Sequence, residues 1–73
     1  MNYSVTESGL TVASGEDDKA AMLIAVLLEL DETFSDEDAI QAIRTAANTD
    51  YTTAANALRY AIRMRWIAES KRY

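Results

Sequence analysis

The chain has 73 residues, room for one domain and one small core, and it contains no cysteine, so neither a disulfide nor a thiolate metal site can staple the fold. Histidine is also absent, which removes the usual general base, the common zinc ligand and the ordinary charge switch near neutral pH, and so disfavours most enzyme classes. The net charge is -5, but the charge is sorted: of the twelve acids all but Glu69 lie in residues 1–50, and of the seven bases all but Lys19 and Arg44 lie in residues 51–73. Because screened charges act over roughly 10 Å at moderate salt, a partner meets a cationic C-terminal third on an otherwise acidic molecule. Two unlike faces point to a binding protein.

Residues 3–13 alternate loosely, with Tyr3 and Val5 followed by Leu10 and Val12 around Glu7-Ser8-Gly9. This predicts two short strands joined by a glycine-containing turn, an N-terminal β-hairpin or flexible arm over residues 1–14. Ser14 to Asp18 then break the strand and supply caps and acids for a first helix from about Asp17 to Asp31. Ala20, Met22, Leu23, Ile24, Val26, Leu27, Leu28 and Leu30 make that helix apolar nearly all round, which predicts a helix enclosed by other elements.

Ser35-Asp36-Glu37-Asp38 has the form of a capping box with Ser35 as N-cap. The helix that follows is amphipathic, with Ile40, Ile43 and Ala47 on one stripe, Gln41 and Arg44 facing outward, and an end near Asn48-Thr49. Asp50 or Thr52 caps a third helix with a buried stripe of Tyr51, Ala55, Leu58, Ile62 and Trp66. Asn56, Arg59, Tyr60 and Arg63 fall together on another side, a basic and aromatic strip turned to solvent. Residues 66–73 suit either a last helical turn or a short strand. The expectation is a mostly α, compact three-helix, helix-turn-helix-like domain over residues 1–73, with a helical core from residue 15 and a short N-terminal hairpin.

The chemistry-bearing motifs are few. The acid clusters Glu16-Asp17-Asp18 and Asp36-Glu37-Asp38 lack calcium-loop spacing and read as helix-start charges. Gly9 and Gly15 are the only glycines, so no phosphate-cradling loop can be built. No catalytic residue, metal or cofactor is expected. The longest apolar run, Ala20 to Leu28, has nine residues, whereas a membrane span takes about 20. With no basic segment or lipidation motif at the start, a cytoplasmic protein is expected, in a bacterial host cell if the chain is phage-encoded.

The segment from Ser35 to Ile67 resembles a helix-turn-helix, and Leu-Arg-Tyr-Ala-Ile-Arg-Met-Arg-Trp-Ile, residues 58–67, looks like the end of a winged-helix recognition helix entering the first wing strand. That resemblance implies base-edge contacts for Thr52, Thr53 and Asn56 and phosphate contacts for Arg59, Arg63, Lys71 and Arg72. Arg65 stands where such a turn usually carries glycine. An alanine-rich third helix also looks similar to ubiquitin-associated bundles, although Asp31-Glu32-Thr33-Phe34 replaces their Met-Gly-Phe loop.

In length, charge layout and helical core the chain is similar to small phage-encoded regulators that bind RNA polymerase, suppressing host transcription or promoting antitermination. The resemblance implies RNA polymerase as partner. Arg59, Tyr60, Arg63, Arg65, Lys71 and Arg72 would then form the contact edge, with Tyr3 and Val5 adding strand or apolar contacts. The alternatives are a winged-helix-like DNA-binding repressor and a small three-helix protein-interaction module. About five clustered bases fall short of the 6–10 phosphate contacts of well-studied DNA binders, which favours protein contact.

Overall fold

The structure, a computed structural model, describes residues 2–70. In chain order it holds β1 (Asn2–Val5), α1 (Glu7–Ala13), α2 (Asp18–Leu28), β2 (Phe34–Ser35), α3 (Asp36–Ala47), α4 (Tyr51–Arg63) and β3 (Ile67–Glu69). The fold is mostly helical, with a small antiparallel sheet in the order β2-β1-β3.

Among the described residues the expected count of three helices is corrected to four, and the N-terminal hairpin is not formed. Residues Glu7–Ala13 are helical because Thr6 is an N-cap: its side chain accepts from the Gly9 amide at 3.2 Å, and Glu7 supplies the favourable first-turn charge. The positions of α1 that turn inward are Gly9, Val12 and Ala13, a spacing of three and four that belongs to a helix. β1 finds its partners far along the chain instead. Tyr3 lies opposite Phe34 of β2 on one side and Glu69 of β3 on the other.

Gly9 is required by close approach. A Cβ at this position would collide with the Trp66 carbonyl oxygen and stand 2.8 Å from Val5 Cγ1. The same carbonyl accepts from the Thr6 amide at 2.9 Å and from the Thr6 hydroxyl at 3.0 Å, and the hydroxyl also reaches the Arg65 carbonyl. Thr6 therefore joins the start of α1 to the end of α4.

α2 starts where the acids predict, with Asp17 as N-cap accepting from the Ala20 amide at 3.2 Å. It is not enclosed as expected: Ala20, Ile24 and Leu27 enter the core while Met22 and Leu28 are exposed, because α1, α3 and β1 cover only part of its circumference. Ser35 caps α3 through the Asp38 amide at 3.1 Å, and Asp50 caps α4 through the Thr53 amide at 2.8 Å. α3 buries Ala39, Ile40 and Ile43, leaving Ala47 exposed.

The buried stripe of α4 is Ala54, Leu58 and Ala61, rotated from the expected one by the approach of α3. Two of these three buried residues are alanines, small enough to permit a close helix contact. Tyr51 is consequently exposed, and its hydroxyl donates to Glu37 Oε2 at 3.2 Å. Trp66 is buried as expected, but it is delivered by the turn after α4 and not by a helical stripe.

That turn closes by a paired hydrogen-bond pattern. The Arg65 amide donates to the Ile62 carbonyl and the Trp66 amide to the Ala61 carbonyl, both at 3.0 Å, around Arg65 at φ 63°. Asn48, at φ 52°, ends α3 in the same left-handed region. Ile67–Glu69 then form a strand, which decides between the two readings for those three residues; the rest of that reading, residues 71–73 with Lys71 and Arg72, lies outside the described residues. The core joins Ile24, Leu27, Phe34, Ile40, Ile43, Leu58, Trp66 and Ile67 around the alanines. Each fully buried Ile or Leu contributes about 1.5–3 kcal/mol.

Candidate functional site

α4 places Asn56, Arg59, Tyr60 and Arg63 together, as their spacing predicted, around one shallow hollow of about 260 Å³. All four are exposed, Tyr60 at 53%. The guanidinium groups of Arg59 and Arg63 make no hydrogen bond or ion pair with another described residue. Tyr60 is held at its base by an edge-to-face contact with Trp66, 5.5 Å between ring centroids at 81°, so the exposed ring stands on the core and gives up little conformational freedom on binding. Two exposed guanidiniums beside a supported aromatic ring suit protein contact, where Arg and Tyr are enriched at hot spots.

The other residues singled out from the sequence are dispersed. Arg65 is exposed in the turn after α4. Tyr3 and Val5 are half-buried and pack against the core. β1 is the middle strand of the sheet, with Tyr3 paired on both sides, so strand addition at Tyr3 is closed off. Thr52 is exposed, whereas Thr53 and Asn56 border an apolar trough between α2 and α4.

The electrostatics of α4 change sign along its length. Its start carries Asp50 as cap, and Asp36 and Glu37 of α3 lie close enough to act on Tyr51. The hydrogen bonds to Thr53 hold the Asp50 carboxyl below the ordinary aspartate range, with a smaller contribution from Arg44. The Glu37 carboxylate pushes the Tyr51 phenol up, by its charge first and by the shared hydrogen bond second. Glu37 Oε1 also accepts from Gln41 Nε2 at 3.2 Å, and Gln41 Oε1 accepts from Arg44 Nη1 at 3.2 Å. This chain from Tyr51 to Arg44 fixes the start of α4 on α3. Arg44 is half-buried, with Nε out of solvent, and does not face outward as expected.

No group of three or more Asp and Glu side chains is gathered as a metal cage among the described residues. Glu16 to Asp18 and Asp36 to Asp38 stand at helix starts, where Asp17 caps α2 and Asp36 Oδ1 accepts from the Glu37 amide at 2.9 Å. No helix among the described residues is long and apolar enough to cross a membrane.

No protein-family model matches this chain, and comparison with curated proteins and with solved structures finds no match.

The trough beside the arginine hollow was not foreseen. It has a volume of about 650 Å³ and is lined by Met22, Leu23 and Val26 of α2, Ile43 and Ala46 of α3 and Ala57 of α4, among others. The sequence signal that pointed to it is the excess of apolar residues in α2 over what one core-facing stripe needs.

Proposed function

We propose that this chain is a non-enzymatic transcription regulator that binds bacterial RNA polymerase, inhibiting host transcription or promoting antitermination by occupying a surface on the path of promoter DNA or nascent RNA. The observation that carries the protein-binding part is the Arg59-Tyr60-Arg63 face, exposed, without an ion pair among the described residues and anchored on Trp66. The choice of polymerase rests on the similarity of length, charge layout and helical core to small phage regulators. The absence of histidine and cysteine supports a role in adhesion over chemistry.

A winged-helix-like DNA-binding role is the second reading. Its support is the order α3, a three-residue turn, α4 and then β3, a helix-turn-helix followed by a strand, with Arg65 holding the left-handed conformation where that family usually carries glycine. Electrostatics weigh against it. A recognition helix leads into the major groove with its N-terminal residues, and here that end is ringed by Asp36, Glu37 and Asp50.

The test is capture of purified bacterial RNA polymerase on the immobilised chain. Retention that is lost in an Arg59→Glu/Arg63→Glu variant, most clearly at low salt, is expected. Polymerase that flows through unretained overturns the proposal. A gel shift on duplex DNA that weakens steeply with salt and is lost on the double charge reversal, with polymerase unretained, would favour the second reading, which gives Arg59 and Arg63 to phosphates.

A further inference from the structure

α2 turns Ala20, Ile24 and Leu27 to the core and Met22, Leu23 and Val26 to the trough. A second hollow continues it, because Val26 and Ala46 line both. At the opposite end Asn56 and Tyr60 are shared between the trough and the arginine hollow. One groove therefore follows α2 from Lys19 to Leu30, about 16 Å at a helical rise of about 1.5 Å per residue.

The two ends of this groove carry opposite charge. Glu29 and Asp38 line the end at the C-terminus of α2, while Lys19, Arg59 and Arg63 stand at the other. Between them the floor is alanine and branched aliphatic, with Ala46 itself exposed, so another backbone can approach closely.

We infer that the groove receives an amphipathic helix of a partner protein, with its apolar stripe over Val26 and Ala46, a basic residue at Glu29 and Asp38, and an acidic residue at Lys19 and Arg59. The span matches about three helical turns, the length over which an amphipathic helix presents anchors at i, i+3 or i+4, and i+7. A second copy of this chain fits less well, since two concave surfaces set face to face leave both floors uncovered. The inference goes beyond the polymerase reading, and its test uses the purified chain without polymerase, so the two fail separately.

The probe is a fluorescein-labelled helical peptide of about 14 residues with a leucine stripe, glutamates at its N-terminal end and lysines at its C-terminal end. Two controls carry the same stripe with glutamates at both ends or lysines at both ends. Fluorescence anisotropy is expected to give binding of the bipolar peptide, with each control weaker by about fivefold or more. Ala46→Arg, at an exposed position, should keep the native circular dichroism and weaken the bipolar peptide by at least about tenfold. Equal affinity for the three peptides, no binding of the bipolar peptide, or unchanged affinity of Ala46→Arg each overturns the inference. So does a light-scattering mass twice that of the 8.1 kDa chain that falls to monomer in Ala46→Arg, since a second copy then occupies the groove.

Discussion

Gly9 faces the Trp66 carbonyl with no space for a side chain between them. In an ordinary helix Gly→Ala gains up to about 1 kcal/mol, and here the sign reverses, because the obstacle is backbone held by two hydrogen bonds from Thr6. Gly9→Ala is expected to lose about 3 kcal/mol, the upper range of overpacking, read as a lower urea midpoint at constant slope. A gain in stability would mean that α1 is free to slide off the turn after α4.

Thr6 caps α1 and also bonds two carbonyls 59 and 60 residues away. Thr6→Ala should cost about 2 kcal/mol, the sum of a lost cap and a lost hydrogen bond, and Thr6→Ser should recover most of it. Equal loss in both variants would assign the effect to the methyl group.

Arg65 sits at φ 63° with both turn hydrogen bonds made by backbone amides, so its side chain is not needed to close the turn. Arg65→Gly should stabilise the chain by about 0.5–1 kcal/mol, since glycine adopts the left-handed region without steric cost. Thermal unfolding reads this gain, and a lower midpoint would contradict the geometry.

Asp50 titrates below the ordinary range because its ionised form accepts from Thr53. A depressed folded-state pKa contributes stability above the unfolded value and loses it as the pH falls through the folded one. Asp50→Asn keeps the capping acceptor and removes the charge. The variant should be less stable than the parent at pH 7, and the difference should close as the pH falls below about 4, the range in which free aspartate protonates. A pH-independent difference in urea midpoint would exclude the charge as its source.

The starts of three helices were legible, because capping is local: Asp17, Ser35 and Asp50 each bond the amide three residues on. The solvent strip of α4 was legible for the same reason, since helical spacing alone brings Asn56, Arg59, Tyr60 and Arg63 together. α1 was not, because Leu10 and Val12 imitate strand alternation while the decisive contact, Gly9 on Trp66, spans 57 residues. The buried stripe of α4 was displaced toward Ala54 and Ala61 because small residues mark close helix contact as well as they mark exposure. The groove was hidden by an ambiguity in α2, whose all-round apolarity reads as burial although only one face has neighbours to cover it.

The middle strand of the sheet, Asn2–Val5, pairs with Ile67–Glu69 across more than 60 residues, with the Ser70 amide donating to the Asn2 carbonyl at 2.8 Å. β1 therefore gains its longer pairing only by closing a loop of more than 60 residues, an entropic cost that comes before any of those contacts stabilises the fold. The sheet is therefore expected to form after the helices between its strands, whose contacts are local.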